Sequence, residues 1–225
     1  MKRTLKNICI NIYNLKNGPF WKRGEVDIEK QGANIVLDNV KVKSCGKNNK
    51  IIIGDGARLH KIEIKLYGSN NIIIIDENCS INDTLFVTEE DNNYIFLGKG
   101  TTTTGGDVFS AIEGKKIIVG NDGMISRDVW FFTGDGHGIV NNDGIRVNYS
   151  DDIIIGKHVW IGYRAILTKG CKICDNSIIA AGAVCNRGLN PSIMDHCIIG
   201  GNPAQIISRN RDWTRDRKDG ETQNA

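Results

Sequence analysis

The apolar residues of this chain recur in short runs at fixed intervals. Written in blocks of 22, the middle reads NNKIIIGDGARLHKIEIKLYGS (48–69), NNIIIIDENCSINDTLFVTEED (70–91), NNYIFLGKGTTTTGGDVFSAIE (92–113) and GKKIIVGNDGMISRDVWFFTGD (114–135). Each block opens on polar residues, runs into aliphatics, and then meets a Gly or acidic turn. Ile53, Ile75, Leu97 and Val119 hold the same place in successive blocks. A partial block precedes them, since VKVKSCGK (40–47) matches IEIKLYGS (62–69). Beyond residue 150 the period shortens to six: Ile155, Ile161, Leu167, Ile173, Ile179 and Cys185 form one column. Short residues follow each of them, from Gly156 and Gly162 to Ala180 and Asn186. Four places after the aliphatic position come Val159, Ala165, Cys171, Ser177 and Ala183, again small or β-branched.

A period of six is neither the 3.6 of a helix nor the plain 2 of a strand. It predicts a short strand plus a tight corner. Three such units close a turn of about 18 residues around a triangular prism, with the aliphatic column inside. The 22-residue blocks are the same coil with about four extra residues at a corner. The expected fold is therefore all-β, a stack of such coils over residues 35–201. Residues 1–34, including GPFWKRGEVDIEKQG, show no repeat and read as an N-terminal cap. In 202–225, NPAQIISRNRDWTRDR after Gly201 reads as a short helix with Asn202 as N-cap and Pro203 at the first helical position. The polar tail KDGETQNA is expected to be disordered.

Composition agrees with this picture. Hydrophobic residues make up 40% and aromatics only 7%, so the core must be aliphatic. A net charge of +3 is too mild to demand a nucleic-acid partner. No apolar run reaches the roughly 18 residues of a membrane span. The basic start MKRTLKNICINIYN is broken by Asn and does not read as a signal peptide. Seven cysteines without framework spacing favour a reduced, cytoplasmic setting.

The repeat is interrupted once. Val119 and Ile155 begin equivalent coils 36 residues apart, so about 14 residues are extra relative to the preceding period. This excursion, at about 132–150, contains TGDGHGIVNNDG (133–144) and with it His137. Loops that leave a rigid scaffold often carry function, although a histidine in a glycine turn can also be plain surface. Trp160 stands one place before the inward Ile161, so its side chain points outward. It could serve a site or a subunit contact. Cys171 and Cys174 form a C-x-x-C, but both fall in small-residue columns and read as buried filler rather than a metal site.

IIIGKHVWIGYRAIL, SIIAAGAV and GNPAQII resemble the hexapeptide-repeat acyltransferases over roughly residues 35–210. The Asn-Asn-led blocks, the DGH segment and the ending GNPAQIISRNRDW look most like the bacterial O-acetyltransferases of capsules and sialic-acid polymers. The resemblance implies a left-handed parallel β-helix, a homotrimer, and acetyl transfer from acetyl-CoA to a glycan hydroxyl. It implies His137 as general base on the loop, with Trp160 beside it across the subunit boundary. It implies acetyl-CoA contacts at Trp160, Gly162, Tyr163, Ala180, Ala181, Asn186 and Arg187. Imidazole suits the task, since its ordinary pKa of about 6.5 allows it to take a hydroxyl proton near neutrality. Gly138 stands where many relatives have Pro. Gln205 stands where relatives have Lys and can supply no charge to a phosphate; Arg209 is a weaker candidate. Asp135 could orient the imidazole or simply form a turn.

Other readings remain open. The zinc hydrase that shares this prism needs histidines five apart on adjacent faces, and His60, His137, His158 and His196 include no such pair. An N-acetyltransferase acting on an amino sugar could use the same base and donor. A non-catalytic β-helix assembly module would need neither His137 nor Trp160.

Overall fold

The computed structural model describes residues 20–189 and 195–216. Strands account for all of its regular secondary structure, and they stack on the three faces of a left-handed parallel β-helix. One face is a seven-stranded sheet: β2 (Asp27–Gln31), β4 (Lys50–Gly54), β6 (Ile72–Ile75), β8 (Tyr94–Leu97), β11 (Lys116–Val119), β14 (Ile153–Ile155) and β17 (Lys172–Ile173). A second face holds β9 (Thr102–Thr103), β12 (Met124–Ile125), β15 (Trp160–Ile161), β18 (Ile178–Ile179) and β20 (Cys197–Gly201). A third holds β1 (Trp21–Arg23), β10 (Asp107–Ile112), β13 (Trp130–Phe132), β16 (Ile166–Thr168) and β19 (Val184–Cys185). The long strands β3 (Val36–Ser44), β5 (Arg58–Leu66) and β7 (Ser80–Glu89) run across both of these faces. They turn the corner at Asn39, Lys61 and Asp83, each with φ above +40°.

The register follows the sequence columns. Ile53 pairs with Ile75, Ile75 with Leu97, Leu97 with Val119, Val119 with Ile155 and Ile155 with Ile173. All six point into the core, as do Ile161, Leu167, Ile179 and Cys185. The small column, from Ala57 and Cys79 to Cys171, Ser177 and Ala183, is buried where the corner leaves no room. On the inner side of the third face Phe86, Phe109 and Phe131 stack with centroids 5.1 and 4.3 Å apart.

The Asn-Asn block openings divide two tasks. The first Asn of each pair, Asn48, Asn70 or Asn92, takes φ of 56–65°, a left-handed corner that Asn tolerates better than most side chains. The second is buried and forms a ladder. The Asn49 side-chain oxygen accepts the Asn71 N–H, and that of Asn71 accepts the Asn93 N–H, both at 2.9 Å.

The chain ends depart from the sequence expectation. Residues 21–31 already belong to the coil, since β1 and β2 pair in parallel with β3 and β4. The part of the cap before residue 20, and the tail after 216, lie outside the described residues. The expected C-terminal helix is instead a strand, β21 (Ala204–Arg209), antiparallel to β20. Asn202 and Pro203 form the turn of that hairpin rather than a helical first turn. The reason is tertiary: β20 offers an open row of backbone groups at the sheet edge, and β21 satisfies them. Ala204 is buried against the core and Ile206 packs there, while Ile207 faces out.

Candidate functional site

The excursion begins and ends at one corner, between the third face and the seven-stranded sheet. Its neck is closed where the Asp151 N–H donates to the Thr133 carbonyl at 2.9 Å. Within it the chain folds into a small hairpin, with Val140 bridged to Arg146 and Asn141 capping the turn at Asp143 and Ile145. Asn148 is the hub. Its buried amide donates to the Asp135 carboxylate and to the His137 carbonyl, both at 2.7 Å. Its oxygen accepts the Ile139 N–H at 2.7 Å. Arg146 pairs with Glu113 of the coil beneath, and Glu113 also accepts the Ser150 N–H. The guanidinium and Ser150 hold the Glu113 carboxyl at about 2, well below the usual range.

These contacts fix the backbone on both sides of His137 and leave its imidazole exposed. Gly136, with φ of 73°, makes the turn that presents it. At Gly138 a Cβ would meet nothing closer than the Arg146 side chain at 3.8 Å. Asp135 does not engage the imidazole. Its carboxylate is taken by the Lys169 ammonium and the Asn148 amide, which lower its pKa. At the foot of the loop lies an open cavity of about 490 Å³, lined by Ser110, Ile112, Phe132, Gly134, Asp135 and Thr168 among others.

The other candidates fall into two groups. Asn186 and Arg187 follow β19 at the same corner as the loop, and Arg187 lies 3.6 Å from Asp151 at the loop's return. Trp160, Gly162, Tyr163, Ala180 and Ala181 belong to the second face and its far corner, on β15 and β18 and just beyond. In a triangular prism that face is opposite the corner where the loop leaves. A single chain therefore does not bring His137 and Trp160 together. Trp160 is 37% exposed, with its indole N–H donating to Ser126 at 3.3 Å. Tyr163 is exposed and carries the Arg164 guanidinium 4.8 Å from its ring centre. Gly162 has a structural duty, since a Cβ there would lie 2.6 Å from the Ala181 nitrogen in the next coil.

Several residues of this region gave no sequence signal. Glu113, Arg146, Asn148 and Lys169 are polar residues whose partners lie up to 37 places away. Trp213 packs its ring 6.5 Å from that of Trp160 although 53 residues separate them, and no spacing in the sequence pairs the two. Cys171 is buried as the small-residue column requires; a hydrogen bond with Cys185 and burial push its thiol pKa up, away from the thiolate.

Residues 152–187 match the family model described as bacterial transferase hexapeptide (six repeats). A polysialic acid O-acetyltransferase of Escherichia coli O1:K1 / APEC is 34% identical over 126 residues, covering 55% of this chain and 39% of the relative. The chain thus spans well under two thirds of that relative's length. The crystal structure of the polySia-specific acetyltransferase NeuO superposes with a TM-score of 0.65 at 27% identity, covering 82% of this chain and 86% of that one. The polysialic acid O-acetyltransferase OatWY gives a TM-score of 0.80 at 24% identity over 91% and 95% of the two chains, a likeness of fold.

Proposed function

We propose, for a chain that carries the hexapeptide repeat of the bacterial transferases, that it moves an acetyl group from acetyl-CoA to a hydroxyl of a bacterial surface glycan such as a sialic-acid polymer. The observation that carries this reading is the division of the candidate residues. His137, Asn186 and Arg187 lie on one side of the prism, and Trp160, Gly162, Tyr163, Ala180 and Ala181 on the other. Each half is incomplete alone. Three copies around a threefold axis would set the loop of one against the second face of the next, giving a closed trimer with its sites between subunits.

In this reading acetyl-CoA supplies the thioester carbonyl. Its arm would lie along the small residues Ala180 and Ala181 near Trp160, and Arg187 of the other chain would face its phosphates. His137 Nε2 or Nδ1 takes the proton of the acceptor hydroxyl as that oxygen attacks the carbonyl. The oxyanion is met by backbone N–H groups. The bound thiolate leaves and takes the proton back from the imidazolium. The residues flanking His137 are held by Asn148 while the ring stays exposed, as a base for a large acceptor must be. The donor assigns the reaction to the cytoplasm.

The test is incubation with acetyl-CoA and a panel of bacterial glycans, sialic-acid polymers among them, read by mass spectrometry. One acetyl ester per modified sugar is expected on an anionic polymer. Transfer to amino-sugar nitrogen alone, or none to any acceptor, would overturn the reading.

A further inference from the structure

The segment after β21 lies against the coil it leaves. Residues 211–216 form a strap along the corner between the seven-stranded sheet and the second face. Arg211 N–H donates to the His196 carbonyl at 2.9 Å. Trp213 is 92% buried and lies flat on the His158 imidazole, with centroids 4.2 Å apart and planes 8° apart. Its indole N–H donates to the His158 carbonyl at 2.8 Å. Arg215 reaches further down the corner, to Asp122 at 2.8 Å and to the Thr102 hydroxyl at 3.0 Å. Trp213 thus stacks on His158 and also neighbours Trp160, whose ring lies 6.5 Å away at 52°.

The pin of this strap is chemically specific. His158 Nδ1 faces the Asp122 carboxylate at 2.6 Å. Its Nε2 faces the Trp213 carbonyl at 3.1 Å and the Asp212 carboxylate at 3.3 Å. Every one of these partners is an acceptor. A neutral imidazole has a single N–H, so one ring nitrogen would point its lone pair at oxygen; only the imidazolium donates from both. The remaining charges around the pin are Arg215 on Asp122, His196 at 3.8 Å from Asp212, and Asp195 at 3.1 Å from His196.

We propose that Trp213, clamped by the protonated His158, is a positioning residue that holds the Trp160 indole at the donor side of the site. The proposal rests on the reading of Trp160 as part of that site. Trp160 has one weak anchor of its own, the 3.3 Å hydrogen bond to Ser126, and more than a third of its surface is open. The packed Trp213 ring restricts the rotamers left to it. Burial acts to lower the His158 pKa, but Asp122, the Trp213 carbonyl and Asp212 outweigh it, so the pKa lies above the ordinary imidazole value. A raised histidine pKa stabilises the folded form fully below the unfolded value, about 6.5, and that contribution fades as pH rises through the folded value. The strap therefore loosens on the alkaline side.

Two measurements test this. Close, tilted indoles give a coupled circular-dichroism couplet, which reads the Trp160–Trp213 pair without any catalysis. Trp213→Phe and Trp160→Phe should each abolish the same couplet. In the wild type it should fade as pH rises above the ordinary imidazole range, and in His158→Asn it should be absent at every pH. Asn occupies the equivalent corner at Asn78 and Asn176, so that variant keeps the backbone even if the tryptophan variants fold poorly. In transfer assays Trp213→Ala should weaken the same parameter as Trp160→Ala, and the double variant should be no worse than Trp160→Ala alone. A couplet that survives Trp213→Phe, a pH response that survives His158→Asn, or additive kinetic effects would overturn the clamp. A wild type without transferase activity would instead refute the functional reading, and the dichroism would still decide the clamp.

Discussion

At the scale of single residues, His137 and Asn148 form a pair of different kinds. His137 owes its place to chain geometry: Gly136 turns the backbone, and Asn148 ties down its carbonyl and the next N–H but one. Its ring stays exposed. His137→Ala should lower turnover by about 10²–10⁴, the usual worth of a positioned general base. Acetyl-CoA binding, measured by calorimetry, should change little. Asn148→Ala should cost nearly as much in turnover although Asn148 touches no reacting atom, because the Asp135 carboxylate, the His137 carbonyl and the Ile139 N–H lose their shared partner. Hydrogen exchange over residues 135–148 should then rise, which His137→Ala should not cause. His137 was legible in the sequence because it sits in a break in a repeat. Asn148 was not, because an Asn in a polar loop looks the same whether it is a hub or a surface residue.

The elements separate into rigid coil and anchored excursion. In the coil, stacked Phe86, Phe109 and Phe131 bury their rings completely. Phe109→Ala should destabilise by about 3–5 kcal/mol, seen as a lower denaturant midpoint, since both neighbours lose a stacking partner and a cavity remains. The excursion depends on Glu113 and Arg146. A carboxyl held at about 2 contributes order above its unfolded value, and that order is lost only as pH falls toward 2. Limited proteolysis between residues 139 and 147 should therefore be slow at neutral pH and appear in strong acid, or at neutral pH in Glu113→Gln. A loop cut equally fast in wild type and variant would show that the ion pair does not anchor it. The 22- and 6-residue periods made the coil strands readable in advance, with their inward columns, because each coil repeats the contacts of the last. The strand β21 runs against local sequence chemistry, because GNPAQIISRN carries helix-start residues at Asn202 and Pro203 and nothing local reveals the open edge of β20.

For the whole molecule, the two groups of candidate residues lie on opposite sides of one prism. The loop also exposes Ile139, Val140, Ile145, Val147 and Tyr149, an apolar surface that a single chain leaves in water. Light scattering should give a closed trimer, and a stable, active monomer would contradict the shared site. A sharper measurement mixes the impaired His137→Ala and Trp160→Ala variants after dissociation and reassembly. Random trimers would regain about a quarter of the wild-type sites, those taking His137 from one variant and Trp160 from the other. A site built within one chain would regain none.

The repeat determined the coil from sequence alone, since its side-chain pattern is local: an inward aliphatic, a short residue, a small corner filler, then the same again. It also marked where the pattern breaks, and so pointed to His137. Tertiary structure alone decided the rest. Asp135 turned to Lys169 instead of the histidine, residues 21–31 joined the first coils, and residues 204–209 closed the sheet edge. His158 found Trp213 55 residues away and Asp122 found Arg215 93 away. Such partners meet because stacked coils bring distant corners side by side, and a contact made once, between residues far apart in the chain, leaves no period to read.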